Sequence, residues 1–196
     1  MPWFLDTLYQ ASEVTWRIAP GQNLPENLND PLSVPPDTLS HIQVEFVSNI
    51  EFVPDFVKGP VPRTIFVSTR FKELVEQLEP DRHRFIPLRL LNMQNGAKRT
   101  GFYFFKVGNI TSNALIPEVS DVEPKFLKGA LRRYSKTKLH PRLMWDERTV
   151  GSLHVWIDRY LPDCPLVSDR LFSAMANLGM CDHGLFRAIE SRTLLR

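Results

Sequence analysis

Apolar and polar positions alternate from His41 to Val47: Ile42, Val44 and Phe46 fall on one side, His41, Gln43 and Glu45 on the other. A period of two belongs to a strand with one buried face. Arg63 to Val67 reads as a second strand, and the Ser68 that follows is a good helix N-cap. Phe71, Leu74, Val75 and Leu78 stand at i, i+3, i+4 and i+7, which predicts an amphipathic helix over 69–79, stopped by Glu79-Pro80-Asp81. Phe85 to Leu91 is the next strand, with Pro87 marking an edge or a bulge. Asn95-Gly96 predicts a hairpin turn, and Gly101 to Val107 the returning strand.

The pattern recurs toward the C-terminus. Leu166-Val167 leads into Ser168 as N-cap, and Leu171, Ala174, Met175 and Leu178 form the same stripe over 169–179. Gly179 is the expected residue past the helix end, and Leu185 to Ile189 reads as a strand. The two stretches align at an offset of 100: Phe66-Val67-Ser68-Thr69-Arg70-Phe71 against Leu166-Val167-Ser168-Asp169-Arg170-Leu171, then Leu78 against Leu178 and His83 against His183. Phe85 meets Phe186 after one inserted residue. A shared strand-to-helix grammar and a true duplication both account for this.

Between the two stretches, Lys125 to Tyr134 reads as a helix, Arg142 to Trp145 and Leu153 to Ile157 as strands. Residues 1–19 fit a short helix or an irregular strand equally well. Residues 20–37 hold five prolines and read as a loop, and a second Pro-rich stretch runs from Pro54 to Pro62. The expected fold is α+β, in two similar halves, each a small, mostly antiparallel sheet with one packed helix. An acidic, Pro-rich segment, 1–60, adds one strand to the same fold. The strand–helix–strand units near 63–91 and 165–190 then lie in a domain over 61–196.

Composition changes this picture little. A chain of 196 residues, 43% hydrophobic, can bury one core or two small lobes sharing one, and 23% charged residues argue against global disorder. The charge distribution says more. Residues 1–60 carry Arg17 and Lys58 against eight acidic side chains, a net of −6, and the rest of the chain carries 22 basic and 14 acidic, a net of +8. Opposite halves that attract each other within one fold are the plain reading. The two cysteines, Cys164 and Cys181, are too few for a disulfide framework. The start has neither a basic n-region nor an apolar h-region, and nowhere do 18 apolar residues run together. A cytoplasmic protein with reduced thiols is the expectation.

Catalytic chemistry finds little support. Cys164, Cys181, His183 and His154 match no zinc-ligand spacing, so no metal and no cofactor are expected. Ser68 and Ser168 are explained as helix caps, and Cys181 with His183 lacks an orienting third group. Glycine-rich phosphate loops are absent, and Asp146-Glu147 would point to opposite faces of a strand. No catalytic residue is predicted. The basic stretch is the one real candidate: Lys125, Lys128, Arg132, Arg133, Lys136, Lys138, Arg142 and Arg148 face only Asp146 and Glu147 over 125–148. A solvated face, contact with an acidic protein and contact with nucleic acid all suit it, although no nucleic-acid module is recognisable.

Several of these motifs together resemble a known family. Val67-Ser68-Thr69-Arg70-Phe71, Leu78-Glu79-Pro80, His83-Arg84-Phe85-Ile86-Pro87 and the Phe102 to Val107 strand carry the likeness. It resumes from Leu143 through Val155-Trp156 to Val167-Ser168-Asp169-Arg170-Leu171 and Gly184-Leu185-Phe186. The sequence looks like the immunity proteins of bacterial polymorphic toxin systems, of the myxobacterial and proteobacterial type, formerly a domain of unknown function. The likeness spans roughly 62–190, with the basic stretch as a departure from the family pattern. It implies a non-enzymatic protein that binds and neutralises a cognate secreted toxin, encoded beside it in the genome. Lys128, Arg132, Arg133, Lys136 and Lys138 are the expected partner-binding residues. A nucleic-acid-binding accessory protein using 125–142 is the alternative, and stoichiometry and oligomeric state stay open.

Overall fold

The computed structural model describes residues 3–5, 14–22, 28, 41–48, 55–58, 65–137, 142–162, 165–180, 186–187 and 191–194. Strand β1 (Trp3–Leu5) is followed by β2 (Val14–Ile18), β3 (Ile42–Ser48), β4 (Phe56–Lys58) and β5 (Ile65–Ser68). Helix α1 (Thr69–Leu78) leads to β6 (Arg84–Asn92) and β7 (Lys98–Lys106). Then come β8 (Ile110–Thr111), β9 (Val122–Leu127), β10 (Ala130–Lys136), β11 (Leu143–Asp146) and the single turn α2 (Glu147–Val150). The chain continues through β12 (Val155–Asp158), β13 (Leu166–Val167), α3 (Asp169–Asn177), β14 (Phe186–Arg187) and β15 (Ser191–Leu194). The fold is α+β, dominated by strands. It divides into two compact units, Thr7–Lys106 and Met1–Asp6 with Val107–Arg196.

The 7–106 unit is a six-stranded sheet in the order β2-β3-β6-β7-β5-β4. The alternation read from the sequence is the register seen: Ile42, Val44 and Phe46 are buried with Phe66, Ile86, Leu88, Leu90 and Phe104 on one face. Glu45, on the other side of its strand, is buried as well and accepts from Arg17 Nε across the β2–β3 pair at 2.6 Å. Helix α1 starts where predicted, with Ser68 Oγ accepting from Phe71 N, and buries Phe71 and Val75. Phe71 meets Phe56 and Phe105 edge-on, at 4.3 and 5.4 Å. Pro87 sits differently from the expectation of an edge. Strand β6 is interior, paired with β3 and β7, but the β3 ladder begins only at Leu88, so no rung to β3 falls on Pro87. A register shift follows between Leu88 and Leu90. The turn after β6 is closed by Gly96 N to Asn92 O, with Gly96 at φ +70°. The second Pro-rich stretch contains β4, a strand the sequence did not suggest.

In the other unit, the sheet order is β14-β1-β13-β12-β8. Its core gathers Ala114, Leu115, Leu143, Trp145, Trp156, Leu161 and Leu166, with Val122, Tyr134, Val150 and Leu153 packed against it. Strand β1 lies between β13 and β14 and is antiparallel to both. Helix α3 is capped by Ser168 Oγ on Leu171 N and buries Leu171 and Met175. Gly179 takes the left-handed conformation expected past the helix end, at φ +68°. The predicted stripe fails at its last position: Leu178 is 48% exposed, and Met180 is buried instead. Among the described residues, no helix is long and apolar enough to cross a membrane.

The segment Lys125 to Tyr134 is not helical, contrary to the expectation. It forms the β9–β10 hairpin, with Leu127 opposite Ala130 around Lys128-Gly129. Both turn residues have positive φ, +50° and +80°, the pattern of a two-residue type I′ turn that favours the twist of a hairpin. Glycine at the second position makes this conformation cheap and a helix expensive.

Candidate partner-binding surface

The β9–β10 hairpin places most of the predicted contact residues on one element. Lys128 is in the turn, Arg132 is the extra residue at the bulge between Leu131 and Arg133, Arg133 lies opposite Lys125, and Lys136 lies opposite Val122. Lys138 is outside the described residues. The hairpin is tied down at its base. Tyr134 N donates to Tyr160 O at 2.6 Å, Thr137 N to Asp121 O at 3.1 Å, and Arg142 N to Asp121 Oδ2 at 2.8 Å. Val122 and Tyr134 pack on the core, and the Tyr134 ring meets Tyr160 edge-on at 6.3 Å.

The tip is apolar as well as basic. Phe126 is 63% exposed and Leu127 53% exposed, between Lys125 and Lys128. Cross-strand pairing sets Phe126 against Leu131 and Leu127 against Ala130, so each face of the tip carries an apolar pair. The helical reading concealed Phe126 and Leu127, because a helix has no tip on which to expose them together. Lys128-Gly129 was the signal for a turn.

Beneath the hairpin, a cavity of about 260 Å³ is lined by Leu115, Glu118, Tyr134, Asp146, Asp158 and Tyr160, among others. Asp158 is fully buried. Its Oδ2 accepts from Ala114 N and Leu115 N at 3.1 and 3.2 Å, and its Oδ1 from Tyr160 N at 2.9 Å. Burial raises its pKa, and the donors, which favour the charged form, only partly oppose that. The Tyr134 phenol is also pushed up, first by burial and then by Glu118 and Asp158. Asp146 is no partner for Glu147 in acid–base work: it caps α2, accepting from Arg148 N at 3.1 Å, while Glu147 begins that helix.

Ser168 and His154 do form a hydrogen-bonded pair, Oγ to Nδ1 at 2.8 Å. The arrangement has a counterpart in the other unit. Ser68 Oγ donates to the buried Asp55 Oδ1, and both serines also donate their N–H to the backbone O of that same partner, at 3.0 Å. In both units the serine caps its helix, Ser68 Oγ accepting from Phe71 N and Ser168 Oγ from Leu171 N, beside an aspartate in one and a histidine in the other. Cys164, Cys181 and His183 lie outside the described residues. Among the described residues, no group of three or more His, Cys, Asp or Glu is placed to hold a metal ion.

No curated protein matches the chain significantly. The sequence model of an immunity protein family (Imm11) matches residues 12–191, which extends the likeness through β2 and β3 and includes the basic hairpin. With nearly its whole length matched, the chain belongs to the immunity protein family.

Proposed function

We propose that this protein works by binding: it neutralises one cognate toxin stoichiometrically, and the β9–β10 hairpin is the element that reaches the partner. The observation that carries the reading is the hairpin tip, with Phe126 and Leu127 exposed among Lys125, Lys128 and Arg132. Exposed apolar side chains ringed by charge mark interaction surfaces. A tight inhibitor needs an apolar centre for affinity and complementary charge for rapid, selective encounter. Lys128, Arg132, Arg133 and Lys136, with Lys138, would meet an acidic surface on the toxin, in the cytoplasm of the producing cell.

The frame that presents the hairpin is, in this reading, a repeated unit. The Phe56↔Val67 and Val155↔Val167 pairs precede Ser68 and Ser168 in the same way. In each unit, the strands before and after the capped helix flank one antiparallel strand, β7 in one and β1 in the other. The offset of 100 in the sequence supports the same duplication.

The test is co-purification with the product of the adjacent gene, using the wild type and an Arg132→Glu/Arg133→Glu variant. The wild type is expected to form a stable complex. The variant should associate more slowly, with the larger effect at low salt. Recovery of nucleic acid, with high absorbance at about 260 nm, instead of a protein partner would favour the nucleic-acid reading, for which a lone exposed Phe126 is a poor stacking platform. Normal binding by the variant, with loss on changing Asp30 and Asp37, would transfer the contact to the acidic N-terminal third.

A further inference from the structure

Successive residues of a strand point to opposite faces, so the exposed Phe126 and Leu127 lie back to back on the hairpin ribbon. The register carries each face down toward the base. On one face Phe126 has Leu131 beside it, Pro124 has Tyr134 and Val122 has Lys136. Val122 and Tyr134 pack on the core, and Phe126, 63% exposed, continues their apolar stripe past it. On the other face Leu127 has Ala130 beside it, Lys125 has Arg133 and Glu123 has Ser135. Lys125 pairs with Glu123 at 2.5 Å, but both side chains are about half exposed, and such a pair holds little energy. Lys128 in the turn and Arg132 at the bulge add to this, so that residues 123–133 carry four cations and one carboxylate, a net of +3.

The ribbon is therefore two-sided, with an apolar face and a basic face that hold different chemistry. A flat partner covers one of them. Docked on the apolar face, it leaves Lys125, Arg133 and Leu127 in water; docked on the basic face, it leaves Phe126 there. Both faces are covered together only between two walls. A single nucleic-acid strand does not meet this need. A base stacked on Phe126 keeps its phosphates on that side, while the ribbon with its side chains, about 10 Å thick, stands between them and Lys125 or Arg133.

We infer that the hairpin enters a cleft of its protein partner as a wedge, with an apolar wall against Phe126 and Leu131 and an acidic wall against Lys125 and Arg133. This rests on the hairpin being the element that reaches the partner, and it gives that contact its shape.

The experiment measures association and dissociation rates of full-length variants with the product of the adjacent gene, at low and at physiological salt. Phe126→Ser should weaken binding at least about tenfold, as loss of a buried ring does, and leave the salt dependence unchanged. Lys125→Glu/Arg133→Glu should slow association about tenfold at low salt and flatten the salt dependence. Ala130→Trp adds bulk to the basic face at an exposed position, and should weaken binding at least about tenfold, because an opposing wall leaves it no room. Phe126 and Ala130 are both exposed, so these variants keep the fold. Full affinity for Ala130→Trp or for Phe126→Ser would leave one face of the ribbon in water and overturn the cleft. Binding of oligo(dT) by the wild type that is lost in both Phe126→Ser and Lys125→Glu/Arg133→Glu would overturn it as well, since one strand would then reach both faces. The hairpin reading is tested apart from this by Phe126→Ser/Leu127→Ser. A stable complex with that variant would overturn both, whereas its loss alongside a one-faced pattern would overturn the cleft alone.

Discussion

Asp158 shows most directly how burial and hydrogen bonding compete at a single side chain. The carboxyl is fully buried, yet it accepts from Ala114, Leu115 and Tyr160 backbone N–H groups. Desolvation outweighs these donors and lifts its pKa above the usual 3.8. The folded state then holds the proton more tightly than the unfolded chain does. Its contribution to stability is complete below the unfolded pKa and is lost as pH rises through the folded pKa. Asp158→Asn removes that dependence. In urea titrations from about pH 3.5 to pH 7, the unfolding free energy of wild type minus Asp158→Asn should therefore fall with rising pH. A difference that rises instead would show that the backbone donors win over burial.

At the scale of the element, the two Ser-capped helices are alike in geometry and unlike in what the serine holds. Ser168→Ala removes a cap and a bond to the half-buried His154, and should cost about 1–2 kcal/mol. Ser68→Ala also takes the hydroxyl donor from buried Asp55 and should cost more, about 2–3 kcal/mol, read from chemical denaturation. Equal losses would mean Asp55 finds another donor. The hairpin answers to a different rule. Phe126→Ser/Leu127→Ser should leave the melting temperature within a few degrees, since the tip buries little, while abolishing stable capture of the partner. These helices were legible in the sequence because cap, stripe and stop all sit within a dozen neighbouring residues. The hairpin was not, because Phe126, Leu127, Leu131 and Tyr134 fit a loose helical stripe, and only Lys128-Gly129 spoke for a turn. The proposed hairpin site was accordingly half legible: its cations could be named from charge, and its apolar tip could not.

The whole molecule depends on pairings that no local pattern announces. Strand β1 has only three residues, and its partners β13 and β14 are at the other end of the chain. The 7–106 unit therefore interrupts the other one, and the two should respond differently to truncation. Residues 7–106 alone are expected to unfold cooperatively in urea. Removing residues 1–6 from the full chain should separate β14 from β13 and weaken the near-ultraviolet circular dichroism of the Trp145–Trp156 pair. An unchanged tryptophan signal in the shortened chain would show that β1 is dispensable.

The interrupted sheet also has a clock. On the ribosome, β1 emerges before the 7–106 unit, and the strands it must join emerge only after that whole unit has been made. At ordinary elongation rates of about 5–20 residues per second, that wait is on the order of ten seconds or longer. The 7–106 unit has all its strands in hand well before then and is free to fold. The unit that carries the hairpin has to await β13 and β14. If the hairpin is what captures the toxin, a half-made chain protects nothing, and a cell under attack depends on molecules completed before the toxin arrives.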